Sequence, residues 1–424
     1  MRLMKNSEIE WIGDIPNEWK VNSLFQIFTQ VKNKNTGLKE KNLLSLSYGK
    51  IKRKSIDTIG GLLPENFDGY NIIEADDIVL RLTDLQNDHT SLRVGLSTER
   101  GIVTSAYLTI RNRSENNPKY LYYYLHSFDI AKGFYGMGAG VRQGLNWDGV
   151  KWLKFTIPTV TEQNKIVSFL DEKCAEIDTV IEKTKATIEE YKKLKQSVIT
   201  RAVTKGIRPN RPMKDSGIEW IGEIPADWEI RRIKSLGTYR NGLTYSPDDL
   251  TDDSLGTLVL RSSNIKNGKL VFGDNVYVSS IIPNNLMVNK GDILICSRNG
   301  SRELIGKNAI VEDEIIASFG AFMMIFRTKY PNYIYYILNS DVFKYYLGTF
   351  LTATINQLTG KNFGDMEVVF CPDIKEQEEI VEYLSKKCSE IDDLIAKKTS
   401  LLSELESYKK SLIYEYVTGK KCVE

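Results

Sequence analysis

Ser7-Glu8-Ile9-Glu10-Trp11-Ile12-Gly13-Asp14-Ile15-Pro16-Asn17-Glu18-Trp19 returns without a gap as Ser216-Gly217-Ile218-Glu219-Trp220-Ile221-Gly222-Glu223-Ile224-Pro225-Ala226-Asp227-Trp228. A repeat this far apart marks a duplicated chain, not a solenoid of short units. Two further pairs keep the same order. Asn117-Pro118-Lys119-Tyr120-Leu121-Tyr122-Tyr123 matches Tyr330-Pro331-Asn332-Tyr333-Ile334-Tyr335-Tyr336, the aromatic start of an amphipathic helix whose tyrosines read as core. The longest pair runs from Pro158 through Thr204 and from Pro372 through Thr418. Thr159 with Glu162, and Asp373 with Glu376, have capping-box spacing, so a long helix begins at each.

Both long segments carry a heptad stripe. Leu170, Cys174, Ile177, Ile181, Thr184, Ile188, Tyr191 and Val198 step by four and three, with Lys195 as an interruption. Leu384, Cys388, Ile391, Ile395, Leu402, Leu405 and Leu412 follow the same register, interrupted at Lys398 and Lys409. Neither helix has a partner in its own half, so the economical solution pairs them along these stripes, parallel or antiparallel. Roughly 40 residues at 1.5 Å each give a rod of about 60 Å. The intervening segments mix patterns, with β-rich runs such as Asp77-Ile78-Val79-Leu80 and Asp292-Ile293-Leu294-Ile295. Each reads as a globular α+β domain. The expected division is 1–158, an N-terminal segment and first domain; 159–210, first helix and connector; 211–372, second opening segment and domain; and 373–424, second helix and tail.

Composition sets the class. With 424 residues, 42% hydrophobic and 26% charged, the chain is long enough for two or more soluble domains. No apolar stretch is long enough for a membrane span and the first residues lack a signal-peptide core, so a cytoplasmic location is expected. Five cysteines without C-x-x-C spacing read as reduced thiols. His89 and His126 alone cannot build a multi-histidine metal centre. Net charge is only +2, but 19 Lys and Arg against 13 Asp and Glu between Lys20 and Lys154 make a local basic excess.

Catalytic motifs fail on inspection. Gly300 to Lys307 has one residue too many for a P-loop and is followed by Asn308. Gly133-Phe134-Tyr135-Gly136-Met137-Gly138-Ala139-Gly140 follows a helix instead of a strand, the wrong context for a methyl-donor loop. There is no Pro-Pro pair to hold a flipped adenine, and no nuclease cluster. Glu312-Asp313-Glu314 reads as a solvated turn.

What remains is basic and polar. Lys50, Lys52, Arg53 and Lys54 form a cationic patch after the β-like run Asn42 to Gly49. Arg261, Ser262 and Asn264, then Arg298, Asn299 and Arg302, combine arginine with short amides and hydroxyls. Arg81, Arg142, Gln143 and Gln357 join them on residue type. Arginine suits guanine O6 and N7, asparagine suits adenine N6 and N7, and both grip phosphates, so these are the candidate DNA contacts.

With its duplicated W-I-G-x-I-P-x-x-W motif, the Glu162-Gln163 and Glu376-Gln377 pairs and the duplicated heptad helices, the chain resembles the specificity subunits of type I restriction-modification systems over essentially its whole length. Leu260-Arg261-Ser262-Ser263-Asn264-Ile265-Lys266-Asn267-Gly268 is also similar to a sequence common in their target-recognition domains. The resemblance implies an α+β fold of two target-recognition domains separated by two long antiparallel coiled-coil helices, with a pseudo-two-fold internal repeat. The interhelix seam would be Leu170, Ile177, Ile181, Ile188, Leu384, Ile391, Ile395, Leu402 and Leu405. Each domain would read one half of a bipartite site in double-stranded DNA. The helices would set the gap and dock two modification subunits, which carry S-adenosylmethionine and methylate adenine. Restriction subunits would add ATP- and Mg-dependent translocation and cleavage. The chain itself would be noncatalytic and bind no cofactor or metal. Two other classes stay open: a coiled-coil scaffold whose domains bind proteins, and the reader of a type IIB-like system with a fused nuclease-methyltransferase.

Overall fold

The computed structural model describes residues 2–55, 67–86, 92–137, 144–351 and 356–423. The chain divides into two units, Met1–Lys185 with Ser400–Glu424, and Ala186–Thr399. Each long helix contributes residues to both.

The first unit opens on a hairpin, Met4–Asn6 against Asp14–Pro16. The stretch between them turns at Gly13, whose φ of 71° favours glycine. Lys20–Ser23 then pairs antiparallel with Lys154–Ile157, bringing the two ends of the globular segment together. Inside lies a four-stranded antiparallel sheet in the order Phe28–Gln30, Leu108–Asn112, Ile78–Leu80, Val94–Leu96. Helix Pro118–Ile130 starts where Asn117 caps the Lys119 and Tyr120 N–H groups. Its Tyr120, Leu121, Tyr124 and Leu125 are fully buried, and Tyr120 donates to Thr156 O at 3.0 Å and Val417 O at 3.1 Å. The tyrosines are core, as their helical spacing predicts.

The second unit repeats this scaffold. Met213–Asp215 pairs with Glu223–Pro225 and Glu229–Arg232 with Glu367–Phe370. Its antiparallel sheet runs Gly237–Asn241, Met323–Thr328, Ile293–Cys296, Asn308–Ile310. One ion pair is common to both sheets. Asp77 receives Arg111 Nε and Nη2, each at 2.7 Å, and Asp292 receives the same atoms of Arg327 at 2.7 and 2.6 Å. Both aspartates are buried at a strand start, where a second role stabilises the turn: each accepts the N–H of the residue three positions earlier. The insertions differ. The first unit has the hairpin Leu44–Ser47 with Lys50–Arg53 and the pair Asn71–Ile73 with Gly101–Val103. The second has another four-stranded sheet, with a parallel step between Thr257–Leu260 and Ala317–Phe319.

The long helices span Val160–Lys205 and Ile374–Val417 and run antiparallel within each unit. In the first, Phe169 packs on Tyr416 at 4.5 Å and Asp178 binds Lys409. In the second, Lys195 binds Asp392 and Arg208 binds Glu379. Leu170, Ile177, Ile181, Ile188, Leu384 and Ile391 are buried, while Ile395, Leu402 and Leu405 are half-buried. Lys195 and Lys409 occupy equivalent positions of the repeated helices and do not break the seam. Each reaches an aspartate on the facing helix at 2.6 Å, which keeps the aliphatic stem packed and the charge paired.

The helix starts differ from the expected capping boxes. Thr159 Oγ1 accepts the Glu162 N–H at 3.3 Å, one half of the motif, whereas Asp373 Oδ1 accepts the Lys375 N–H at 3.0 Å, one residue short of it. The glutamate side chains turn elsewhere. Glu162 receives Trp19 Nε1 at 3.1 Å and Arg2 Nη1 and Nη2 at 2.6 and 3.0 Å. Glu376 receives Trp228 Nε1 at 3.3 Å and Arg211. A buried carboxylate satisfied by indole and guanidinium donors gains more than it would from one backbone N–H. The following glutamines secure the preceding turn: Gln163 Nε2 donates to Pro158 O and Gln377 Nε2 to Cys371 O. The second tryptophan of each repeat and the Glu-Gln pair are thus two sides of one joint, which fixes each domain to a helix start.

Candidate nucleic-acid interface

In the first unit, Tyr48 and Gly49 have φ of 48° and 75°, the paired positive values of a two-residue hairpin turn. Alternation then sorts the side chains. Leu44 and Leu46 are buried, and their cross-strand partners are Arg53 and Ile51. The other face pairs Ser45 with Lys52 and Ser47 with Lys50, presenting hydroxyls and two exposed ammonium groups. Lys54 is exposed beyond the strand. Arg53 is engaged: its guanidinium holds Glu99 through Nε at 2.8 Å and Nη2 at 2.6 Å, and this contact raises its pKa. The Lys50 and Lys52 face is therefore the free cationic surface of this hairpin among the described residues.

Arg81 follows directly on strand Ile78–Leu80, in a stretch held by a residue that sequence reading passes over. Arg93 is fully buried and donates to Arg81 O at 3.0 Å, Thr83 O at 2.8 Å and Asp84 O at 3.3 Å. Its guanidinium lies 5.0 Å from the Tyr135 ring centre. Lys307 takes the corresponding place in the second unit, donating to Ser262 O at 2.9 Å. Each cation immediately precedes the last strand of the shared sheet, Val94–Leu96 or Asn308–Ile310, and that common position is the signal that could have found them. Arg142, Gln143 and His89 lie outside the described residues.

The second unit gathers most of its proposed contacts at one end of the sheet. Asn299 Nδ2 donates to Ser262 Oγ at 3.2 Å while its Oδ1 accepts the Ser301 N–H at 2.9 Å. Arg298 pairs through its backbone with Gln357, and its guanidinium carbon lies 5.1 Å above the exposed Phe322 ring. Arg302 is exposed, with Nη2 3.4 Å from Gly348 O. Arg261 is tied to Asp274 at 3.0 Å. Asn264 requires a correction. It is fully buried, its Oδ1 accepts the Arg261 N–H at 2.9 Å and its Nδ2 donates to Val271 O at 3.0 Å. It shapes the turn and presents nothing to a ligand, because a buried amide must satisfy itself within the protein.

The sequence model of the type I restriction modification DNA specificity domain matches residues 16–190 and 225–405. The chain belongs to this family. It is a sequence-specific DNA-binding specificity subunit, in keeping with the duplicated scaffold. Among its relatives, the putative type I restriction enzyme MjaX specificity subunit of Methanocaldococcus jannaschii is 26% identical over 301 residues, 68% of each chain. The StySPI specificity subunit of Salmonella potsdam is 29% identical over 172 residues, 38% of this chain and 36% of the relative. A chain from a structural study of complex assembly and conformational transition in the type I system superposes with a TM-score of 0.72 at 15% identity, covering 96% of this chain and 99% of that one. That likeness extends the shared fold over nearly the full length. Among the described residues, no helix is long and apolar enough to cross a membrane.

Proposed function

We propose that each recognition domain reads one half of a bipartite site in double-stranded DNA, on behalf of a complex that methylates adenine. The observation that carries this reading is one scaffold built twice, with the same sheet order and buried Asp–Arg pair, bearing different insertions. Equal frames with unequal loops suit two unlike half-sites. The contacts proposed in the first half are Lys50, Lys52, Lys54 and Arg81, with Arg142 and Gln143 added on residue type. In the second they are Arg298, Arg302 and Gln357, with Ser262 and Asn299 shaping the loops.

In this reading the helices set the gap and dock two modification subunits, which supply S-adenosylmethionine. Restriction subunits supply the ATP- and Mg-dependent step in the cytoplasm. The chain recognises and does not catalyse. Co-expression with the modification subunit tests the proposal: the complex should hold two modification subunits per chain and methylate a split motif, whereas the chain alone should bind no S-adenosylmethionine. A mass with one modification subunit, or methylation by the chain alone, would contradict it.

A further inference from the structure

We infer that Arg298 reads a guanine in the half-site of the second domain, and that Phe322 is the positioning residue that steadies its guanidinium for that contact. The inference rests on the proposed DNA-reading role and adds a residue and a base to it.

Arg298 leaves the end of strand Ile293–Cys296 with its backbone fixed on both sides. The N–H groups of Ser297 and Arg298 both donate to Phe322 O, at 3.0 and 3.1 Å. Ser297 Oγ donates to the same oxygen at 3.0 Å, and Leu358 N donates to Ser297 O at 2.7 Å. The side chain leans toward Phe322, whose ring centre lies 5.1 Å from its guanidinium carbon. Phe322 itself is 57% exposed, so the ring does not serve the core. An exposed aromatic ring at a turn, covered on one face by a cation, is a platform.

Arg261 is neutralised by Asp274 and Arg327 by Asp292. Arg298 and Arg302 both lack a carboxylate partner among the described residues, but only Arg298 lies over an aromatic ring; Arg302 instead reaches Gly348 O. A guanidinium held over a ring by cation–π attraction keeps N–H groups free for two parallel hydrogen bonds. In the major groove the edge that accepts two such bonds is guanine O6 and N7. A phosphate accepts the same fork but carries no base information, and the test below separates the two.

The test uses the chain with its modification subunit, as wild type and as Arg298→Lys, Phe322→Ala and Phe322→Tyr, with methylated adenines mapped genome-wide. Arg298→Lys should relax one G·C position of one half-site, lowering its preference roughly ten- to a hundredfold. Phe322→Ala should relax the same position, Phe322→Tyr should keep it, and the other half-site should stay intact throughout. Three outcomes overturn the inference while leaving bipartite reading in place: an unchanged motif in Arg298→Lys, relaxation in the half-site of the first domain, or a uniform fall at all sites with a shallower salt dependence, which marks a phosphate contact. If the wild type methylates no split motif, the underlying reading fails and the inference with it.

Discussion

Replacing Arg211 with Met should destabilise the second unit considerably more than replacing Arg2 with Met destabilises the first, although both arginines hold the repeated glutamate and lie over a tryptophan ring. The difference comes from burial. The Glu376 side chain is 1% exposed and Arg211 12%, against 21% for Glu162 and 28% for Arg2. Removing one partner of a buried pair strands a desolvated charge, at a cost of about 3–5 kcal/mol. Arg208 Nη1 remains 3.7 Å from Glu376 and moderates this to about 3 kcal/mol. The more exposed pair should cost about 1 kcal/mol, since water re-solvates the carboxylate. The lost stacking is common to both, with guanidinium carbons 5.3 Å from Trp228 and 6.0 Å from Trp19. Hydrogen exchange read by mass spectrometry resolves each helix start separately, and adding Glu376→Gln to Arg211→Met should restore most protection by removing the stranded charge. Equal losses in the two units, or no recovery in the double variant, would refute the argument.

Two further predictions concern the first unit. A double-mutant cycle on Lys409 and Asp178, whose side chains are 26% and 46% exposed, should give about 0.5–1 kcal/mol of coupling at low salt, falling as salt rises; zero coupling would mean the lysine is merely tolerated in the seam. Burial, with Lys409 and Lys410 adding repulsion, pushes His126 down to about 4, so its contribution is complete above the unfolded value near 6.5 and is lost as pH falls through 4. Burial pushes Asp129 up to about 6, against the Arg93 N–H, so its contribution is complete below the unfolded value near 3.8 and is lost as pH rises through 6. Between pH 4 and 6 these slopes oppose, each worth about 3 kcal/mol. Asp129→Asn should therefore steepen the acid loss of the first unit in urea titrations, and His126→Asn should flatten or reverse it; wild-type profiles in both variants would show that neither group titrates as its burial implies.

The duplicated frame is legible in the sequence because the features that build it are local. Trp11 to Trp19, the helix starts and the heptads recur at fixed spacing, and the Asp77 and Asp292 runs mark the strand at the centre of each sheet. Partners from distant segments are not legible in this way. Heptad counting treats Lys409 and Lys195 as breaks, because the aspartate each meets lies on the other helix. Capping-box spacing assigns Glu162 and Glu376 to the helix backbone, since nothing local reveals that Trp19 and Trp228 claim them. Asn264 looks exposed after a strand until Val271 and Asn275 close over it. Phe322 passes unnoticed beside the apolar run Met323–Phe326, where a lone aromatic reads as core.

One chain should carry two independent readers. Exchanging residues 229–371 for the equivalent domain of a relative, and mapping methylated adenines in cells that also express the modification subunit, tests it most directly. Two independent readers give a split motif in which one half-site changes while the other half-site and the gap are kept. Both half-sites changing together, or a single contiguous motif, would contradict it.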